Sequence, residues 1–280
     1  MDSRRMCSQC RAFITSKDRV CPYCGEKVGP RAIDQRSPGD ILGGLIPHAR
    51  FTTVMIMLVN FGVFAAMMLY RSGGGDGPSL DLDGSTLYRF GAKYMGGDGI
   101  PGIREGQWWR LVTAGFLHGG LMHILMNSWA LFDLGAQVEE LFGTSRLLVF
   151  YFLSTVGGFA ASAWWSPALS MGASAGIFGL IGAMIALGVK HPTPVGSAIK
   201  AMYVRWAAYG LLFGLLPGFR MDNAAHLGGL ASGFVCAYLA DLPRIETAPR
   251  ERFWRMAAYG CLALTAWSFL QMFLWFKVVR

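Results

Sequence analysis

The chain has 280 residues, of which 53% are hydrophobic and only 15% are charged. Soluble domains usually carry about 25% charged residues, so this composition excludes an ordinary soluble domain and indicates a membrane protein. The formal net charge of +8 does not indicate nucleic-acid binding, because the cations are distributed along the chain as membrane topology requires.

The chain begins with four cysteines in two Cys-x-x-Cys pairs. Cys7 and Cys10 form the first pair, and Cys21 and Cys24 form the second. Four thiolates presented by two turns can hold one Zn²⁺ in a closed tetrahedral site. A segment this short cannot bury a core alone, so the metal would supply its folding energy. We expect a zinc ribbon over residues 1–29; the alternatives are a redox pair or unstructured thiols.

Residues 30–50 are polar and rich in proline and glycine, which is typical of a linker. The first 50 residues hold nine Lys or Arg and no apolar segment, so we expect no cleavable signal peptide. A ribbon on the cytoplasmic side would lie in a reducing compartment, where disulfides are disfavoured. The sequence does not indicate which cytoplasmic partner it would bind.

Seven windows after residue 50 approach the ~20 apolar residues that a membrane-spanning helix needs. They cover residues 51–70, 111–134, 147–165, 172–190, 202–219, 224–242 and 256–279. We therefore expect an all-α polytopic membrane domain over residues 51–280.

The cations predict the orientation of these helices. If the N-terminus is cytoplasmic, the inner loops carry Arg146, Lys190, Lys200, Arg205, Arg244, Arg250, Arg252 and Arg255. The short outer loops then carry only Arg220. The positive-inside rule predicts a multi-pass protein of the cell membrane with a cytoplasmic N-terminus and a C-terminus outside.

The loop over residues 71–110 ends in Trp108, Trp109 and Arg110. Tryptophan beside arginine suits an anchor at the membrane interface, where the chain re-enters lipid. The loop is too long for a simple turn, and we expect it to pack on or within the outer leaflet.

The second window contains the segment "HGGLMHILMN", with His118, His123 and Asn127. Polar side chains are costly in lipid, so these three must face protein or a water-filled cavity. His123 and Asn127 are four residues apart and share one helix face. Interhelical hydrogen bonding alone is the competing interpretation of these residues.

Ser174 opens the fourth window and His226 lies near the start of the sixth. Both windows continue with glycines at small-xxx-small spacing, which lets two helices approach closely. Both also run from outside to inside in the predicted topology, so the two side chains would meet in the outer half of the membrane. A serine, a histidine and further donors are what an acyl-transfer site requires.

Four motifs together make the chain resemble the rhomboid family of intramembrane serine proteases. They are "GASAG" around Ser174, His-x-x-Gly-x-x-x-Gly from His226, His-x4-His-x3-Asn from His118, and the Trp109–Arg110 pair. The resemblance covers roughly residues 50–280. It implies a six-helix bundle, here with a seventh helix after it, that cleaves transmembrane protein substrates within the bilayer near their outer end.

The resemblance also implies a role for each motif residue. Ser174 would be the nucleophile and His226 the general base. His123 and Asn127 would be oxyanion donors, joined by the backbone N–H of Ser174.

The remaining motif residues would have structural roles by the same resemblance. His118 would be structural or water-retaining, and Trp109 and Arg110 would stabilise the outer loop. No cofactor is implied for catalysis.

Two positions depart from the family pattern. The family often has glycine directly after the serine, where this chain has Ala175, which would be strained if the position needs a positive φ. The family often has a tyrosine stacked on the histidine, where this chain has Phe178.

Three other functions are alternatives to an active protease. A rhomboid-like pseudoprotease would bind or route membrane proteins without cleaving them. A channel or carrier is disfavoured because the polar residues stop near mid-depth and leave no continuous path. A metalloprotease is disfavoured because the sequence has no His-Glu-x-x-His motif.

Overall fold

The computed structural model describes residues 4–6, 12–15, 18–25, 28, 50–72, 80–216, 221–240, 242 and 248–278. The chain divides into two compact units, Met1–Phe51 and Thr52–Arg280.

The first unit contains a short hairpin and a cysteine turn. Strands β1 (Arg4–Met6) and β2 (Phe13–Thr15) pair antiparallel. Residues 21–24 form a turn in which the N–H of Gly25 donates to the carbonyl of Cys21 at 2.9 Å. Gly25 has a φ of +73°, so glycine suits this position.

The cysteine set is only half described. Cys21 is buried with Ile14 and Val28, whereas Cys7 and Cys10 lie outside the described residues. The described part of the chain contains no group of three or more potential metal ligands. The four-cysteine zinc site therefore stays a prediction.

The second unit is built from helices. In chain order they are α1 (Phe51–Ser72), α2 (Gly84–Arg89), α3 (Arg110–Thr113), a 3-10 turn (Ala114–Phe116), α4 (Leu121–Phe142), α5 (Thr144–Trp165), α6 (Ser174–Lys190), α7 (Pro194–Phe213), α8 (Asn223–Leu239) and α9 (Ala248–Val278).

Each predicted apolar window overlaps one of the long helices. Among the described residues, three segments are long and apolar enough to cross a bilayer by themselves: Phe51–Arg71, Thr144–Trp165 and Pro249–Val278. Ser174–Lys190 is apolar but shorter. These helices fit a multi-pass membrane protein, while the number of crossings stays a prediction.

The second window starts too early in the sequence-based prediction. Residues 111–120 do not extend α4 but form part of α3, the 3-10 turn and a Gly-Gly segment. Hydropathy does not separate these elements from α4, because most residues of this stretch are apolar or glycine.

α6 and α8 pack with their backbones in contact. A Cβ at Gly233 would lie 2.0 Å from the carbonyl oxygen of Gly179, and one at Gly229 would lie 2.1 Å from that of Ala175. Any larger residue at these glycines would force the helices apart. The small-xxx-small spacing thus allows the close approach of two helices that the sequence predicted.

α5 joins the same interface from the other side of α8. A Cβ at Gly158 would lie 2.6 Å from the carbonyl oxygen of Ala225, and one at Gly228 would lie 2.8 Å from that of Gly157. The start of α8 is therefore clamped between α5 and α6.

A buried carboxylate caps the start of α1. Glu139, near the end of α4, accepts the backbone N–H groups of Thr52 (3.1 Å) and Thr53 (3.2 Å) and the hydroxyls of Thr53 and Thr144 (both 3.1 Å). The first N–H groups of a helix have no partner within it, so this contact joins α1, α4 and α5 at one end of the bundle.

α9 packs along the bundle at both of its ends. At its start, Glu251 accepts two hydrogen bonds from Arg146 of α5, at 2.6 and 3.2 Å. Arg146 is 1% exposed. Near its end, Phe269 contacts Phe116 and Phe276 contacts Phe90, both edge-on.

We predict that Gly233→Ala destabilises the folded bundle by about 1–3 kcal/mol, as overpacking usually does, because the added methyl meets the α6 backbone. Gly260→Ala on α9 is the matched control, since a Cβ there meets nothing within 4 Å. Thermal unfolding in detergent compares the two. Equal melting temperatures for both variants would contradict the close α6–α8 packing.

Candidate active site

Ser174 is the first residue of α6, and the segment leading into it is held by the loop before α4. Lys93 and Ser170 pair as an antiparallel bridge with N–H to O distances of 2.8 and 3.0 Å. Gly172 donates its N–H to the carbonyl of Ala114 at 2.9 Å. Ser174 therefore has a fixed approach and sits at a helix N-terminus, which favours negative charge.

His226 meets Ser174 across the α6–α8 interface. The Nε2 atom of His226 lies 2.9 Å from the Oγ atom of Ser174, although the two residues are 52 apart in sequence. His226 is 2% exposed. If Nε2 accepts the serine proton, the ring carries its own proton on Nδ1. A serine hydrogen-bonded to a histidine is the arrangement that activates a hydroxyl nucleophile.

The imidazole of His226 is held by stacking rather than by a carboxylate. Its Nδ1 atom is buried and has no hydrogen-bond partner among the described residues. Phe178 stacks on the ring with a centroid distance of 4.2 Å and an interplanar angle of 5°. Behind it, a Cβ at Gly210 of α7 would lie 2.6 Å from the Cζ atom of Phe178. Phe178 thus fills the space between α7 and the histidine.

His123 is oriented as a donor toward the same site. The N–H of Gly119 lies 3.3 Å from Nδ1 of His123, so Nδ1 is the acceptor and a neutral ring carries its proton on Nε2. A Cβ at Gly172 would lie 2.8 Å from that Nε2 and 3.6 Å from the Oγ of Ser174. Because Gly172 has no side chain, a space is left between His123 and Ser174.

Asn127 lies one turn after His123 and is 8% exposed. Its Nδ2 donates to the carbonyl of His123 at 2.9 Å, so one of its two N–H groups is used within α4. The other N–H is available to a group between α4 and α6.

His118 is fully buried beside the site. Its ring contacts that of His123 edge-on, with centroids 5.1 Å apart. The contact fits a packing role for His118, which fixes the position of its neighbour.

Arg110 joins several parts of the loop between α1 and α4. It is fully buried. It donates to the side chain of Gln107 at 2.6 Å and to the carbonyls of Tyr88 and Ala92 at 2.8 and 2.9 Å. Its guanidinium also lies over the Trp109 ring, 4.6 Å from the centroid. These contacts are those of a loop-stabilising pair.

The strain considered for Ala175 is absent. Among the described residues, the one non-glycine with a positive φ is Asp98, and Ala175 lies within α6. The position needs a small side chain rather than an unusual backbone, because Gly158 and Gly229 approach it closely.

Sequence reasoning missed a polar cluster beside the site. Asp222 accepts the N–H of Ala225 at 3.0 Å and a hydrogen bond from Ser162, while Lys93 is fully buried nearby. Asp before a helical run is a recognisable N-cap signal, but nothing local identifies its other partners.

The pKa values of Asp222 and Lys93 are both lowered, but by different causes. Burial would raise the pKa of Asp222, but hydrogen bonds from Ser162, Ser170 and the Ala225 N–H, with the charge of Lys93, lower it overall. Burial lowers the pKa of Lys93, and Asp222 opposes that change. The carboxylate is therefore ionised at neutral pH.

The fold and the site define a polytopic helical membrane protein with a serine and a histidine paired inside the bundle. Comparison with known proteins then gives its family. Residues 105–241 match the family described as Rhomboid domain.

Named relatives extend this match. Rhomboid-like protease 3 of Toxoplasma gondii is 35% identical over 193 residues, covering 67% of this chain and 70% of the relative. RHOMBOID-like protein 6, mitochondrial, of Arabidopsis thaliana is 32% identical over 204 residues, covering 72% and 64%. Rhomboid protease GluP of Bacillus subtilis is 35% identical over 159 residues, covering 57% and 30%.

The chain belongs to the rhomboid family. It spans less than two thirds of the Bacillus and Arabidopsis relatives. The family match supports the membrane location and the rhomboid part of the sequence-based prediction.

Proposed function

We propose that the protein is an intramembrane serine endopeptidase that uses Ser174 and His226 as its catalytic pair. The observation that carries the proposal is the 2.9 Å contact between Nε2 of His226 and Oγ of Ser174. His226 would take the serine proton as the hydroxyl attacks a peptide carbonyl, and would return it to the leaving amine.

The oxyanion that forms would lie in the space beside Gly172. The Nε2–H of His123 and the backbone N–H of Ser174 would donate to it, with the second N–H of Asn127 as a third donor. Donors fixed where charge develops commonly contribute on the order of 100-fold or more each. The N-terminus of α6 adds favourable potential.

The substrates would be transmembrane segments of other proteins, cut near their outer end. α6 has 17 residues and is about 26 Å long at 1.5 Å per residue, less than the ~30 Å hydrocarbon core. With the N-terminus cytoplasmic and the C-terminus outside, Ser174 would lie below the outer surface of the cell membrane. An intact helix hides its carbonyls in hydrogen bonds, so helix-breaking residues would favour cleavage.

We also propose that residues 1–29 bind one structural Zn²⁺ through Cys7, Cys10, Cys21 and Cys24. The turn at residues 21–24 supports this, because it carries Cys21 and Cys24 at its two ends and is closed by the Gly25 N–H, which donates to the carbonyl of Cys21. The ribbon would bind a partner in the cytoplasm, and residues 30–50 would act as its linker. Catalysis would need no cofactor.

We predict that Ser174→Ala and His226→Ala each abolish cleavage of a transmembrane test substrate, because each removes one half of the catalytic pair. The measurement is product formation by purified protein in liposomes, with membrane accumulation of each variant as the folding control. Wild-type cleavage by either variant would refute the catalytic pair. A wild-type chain that binds the substrate without cutting it would support the pseudoprotease.

We predict that Gly172→Ala lowers the cleavage rate on the order of 100-fold, because its methyl would fill the space between His123 and Ser174. Gly97→Ala is the matched control. Gly97 has a similarly positive φ, +143° against +129°, but a Cβ there meets only the Tyr94 hydroxyl at 4.0 Å. Adding His123→Ala to Gly172→Ala should cost little more, because both act on one oxyanion. Equal cleavage rates for the two glycine variants would refute the location of the oxyanion beside Gly172.

We predict that replacing Cys7 and Cys24 by Ser releases the metal, whereas replacing Cys236 and Cys261 in the helices does not. Deleting residues 1–35 should leave cleavage by purified protein nearly intact, because a segment as polar and as rich in proline and glycine as residues 30–50 is expected to couple the two parts weakly. Zinc content and cleavage rate are measured for each variant. A truncated protein that is folded but inactive would show that the ribbon belongs to the catalytic machinery.

A further inference from the structure

Among the described residues, no polar group binds the Nδ1 side of the His226 imidazole. Its Nδ1 has no hydrogen-bond partner among the described residues, whereas in a serine–histidine–aspartate triad a carboxylate holds that atom. The position of the ring in this protein therefore depends on its stacking partner and on where the backbone of α8 begins.

Asp222 fixes the position at which α8 begins. Its carboxylate Oδ1 accepts the N–H of Ala225 at 3.0 Å, and its carbonyl accepts the N–H of His226 itself, also at 3.0 Å. Both bonds hold the first turn of α8 and with it the Cα of the histidine. Asp222 thus acts on His226 through the backbone and not through the ring.

The same carboxylate reaches the neighbouring elements. Its Oδ2 accepts a hydrogen bond from Ser162 near the end of α5, and the Ser170 side chain helps to lower its pKa. Ser170 lies four residues before Ser174 on the segment that leads into α6. Asp222 therefore joins the helix start that carries the base to the end of α5 and interacts with the segment that leads to the nucleophile.

Lys93 also holds the segment that leads into Ser174. Its Nζ donates to the carbonyls of Ser166 at 2.9 Å and Ala168 at 2.8 Å, and its backbone pairs with Ser170. Its charge attracts that of Asp222, and it is fully buried. Since a buried cation without a countercharge is unfavourable, the Asp222 carboxylate favours the charged form of Lys93.

We infer that Asp222 and Lys93 are positioning residues that together set the distance between Ser174 and His226. The inference rests on the proposed function. Neither side chain touches the reacting atoms; each acts by holding one of the two backbone segments that carry them. In a serine–histidine–aspartate triad, the aspartate orients the histidine. In this protein, Asp222 and Lys93 perform part of that function.

The test compares Asp222→Asn with Glu251→Gln. Each change replaces a carboxylate by its amide and removes a negative charge that acts on a buried cation, which is Lys93 for Asp222 and Arg146 for Glu251. Glu251 contacts Arg146 near the start of α5, whereas Asp222 contacts Ser162 near the end of that helix. The readouts are kcat and KM for a transmembrane substrate, the rate at which a fluorophosphonate labels Ser174, melting temperature, and hydrogen exchange of peptides covering 168–176 and 221–228.

Asp222→Asn should lower kcat and the labelling rate on the order of 10-fold with little change in KM, and should speed hydrogen exchange in both peptides. Glu251→Gln should lower the melting temperature and leave the labelling rate and the hydrogen exchange of both peptides unchanged. Adding Lys93→Met to Asp222→Asn should recover part of the lost rate, because it removes the uncompensated buried charge.

The inference is overturned if Asp222→Asn leaves labelling and exchange as in the wild type. It is also overturned if both amide variants lose labelling equally, since that would reflect general destabilisation. If the wild type neither labels nor cleaves, the proposed function fails, while hydrogen exchange still decides whether Asp222 holds the two segments.

Discussion

The approach of the α6 and α8 backbones is the constraint on which the site depends. Gly179, Gly229 and Gly233 let carbonyl oxygens and Cα atoms pack where side chains would otherwise intervene. Without hydrophobic driving force between helices in lipid, such contact is what holds them together. The residues at the starts of these two helices, Ser174 and His226, are brought within hydrogen-bond distance as a direct result.

Buried polar side chains hold the ends of the helices around this interface. Glu139 caps α1, Arg110 binds carbonyls of the long loop, and Arg146 joins α5 to α9. Polar groups in a membrane protein are costly unless paired, and each of these finds its partners at a helix end or in a loop. In the α6–α8 interface, Gly179, Gly182, Gly229 and Gly233 bring the two backbones into direct contact.

Much of the fold and of the candidate site could be predicted from the sequence. Apolar windows located the long helices, glycine spacing indicated which helices pack, and the serine and histidine motifs indicated the pair. Phe178 stands where the family often has a tyrosine against the histidine, and it stacks on the ring of His226.

The remaining features could not be predicted, because they depend on distant partners. Glu139 lies 87 residues from Thr52, and Arg146 lies 105 residues from Glu251. No local pattern links such residues. The start of α4 was also predicted too early, since hydropathy does not distinguish a buried loop from a spanning helix.

The most direct test of the account is a crystal structure of the protein after reaction with a fluorophosphonate. We predict phosphorus bonded to Oγ of Ser174, with the phosphonyl oxygen beside Gly172 and about 2.7–3.1 Å from Nε2 of His123, as an oxyanion site requires. An adduct on another side chain, or a phosphonyl oxygen directed away from His123, would contradict the account.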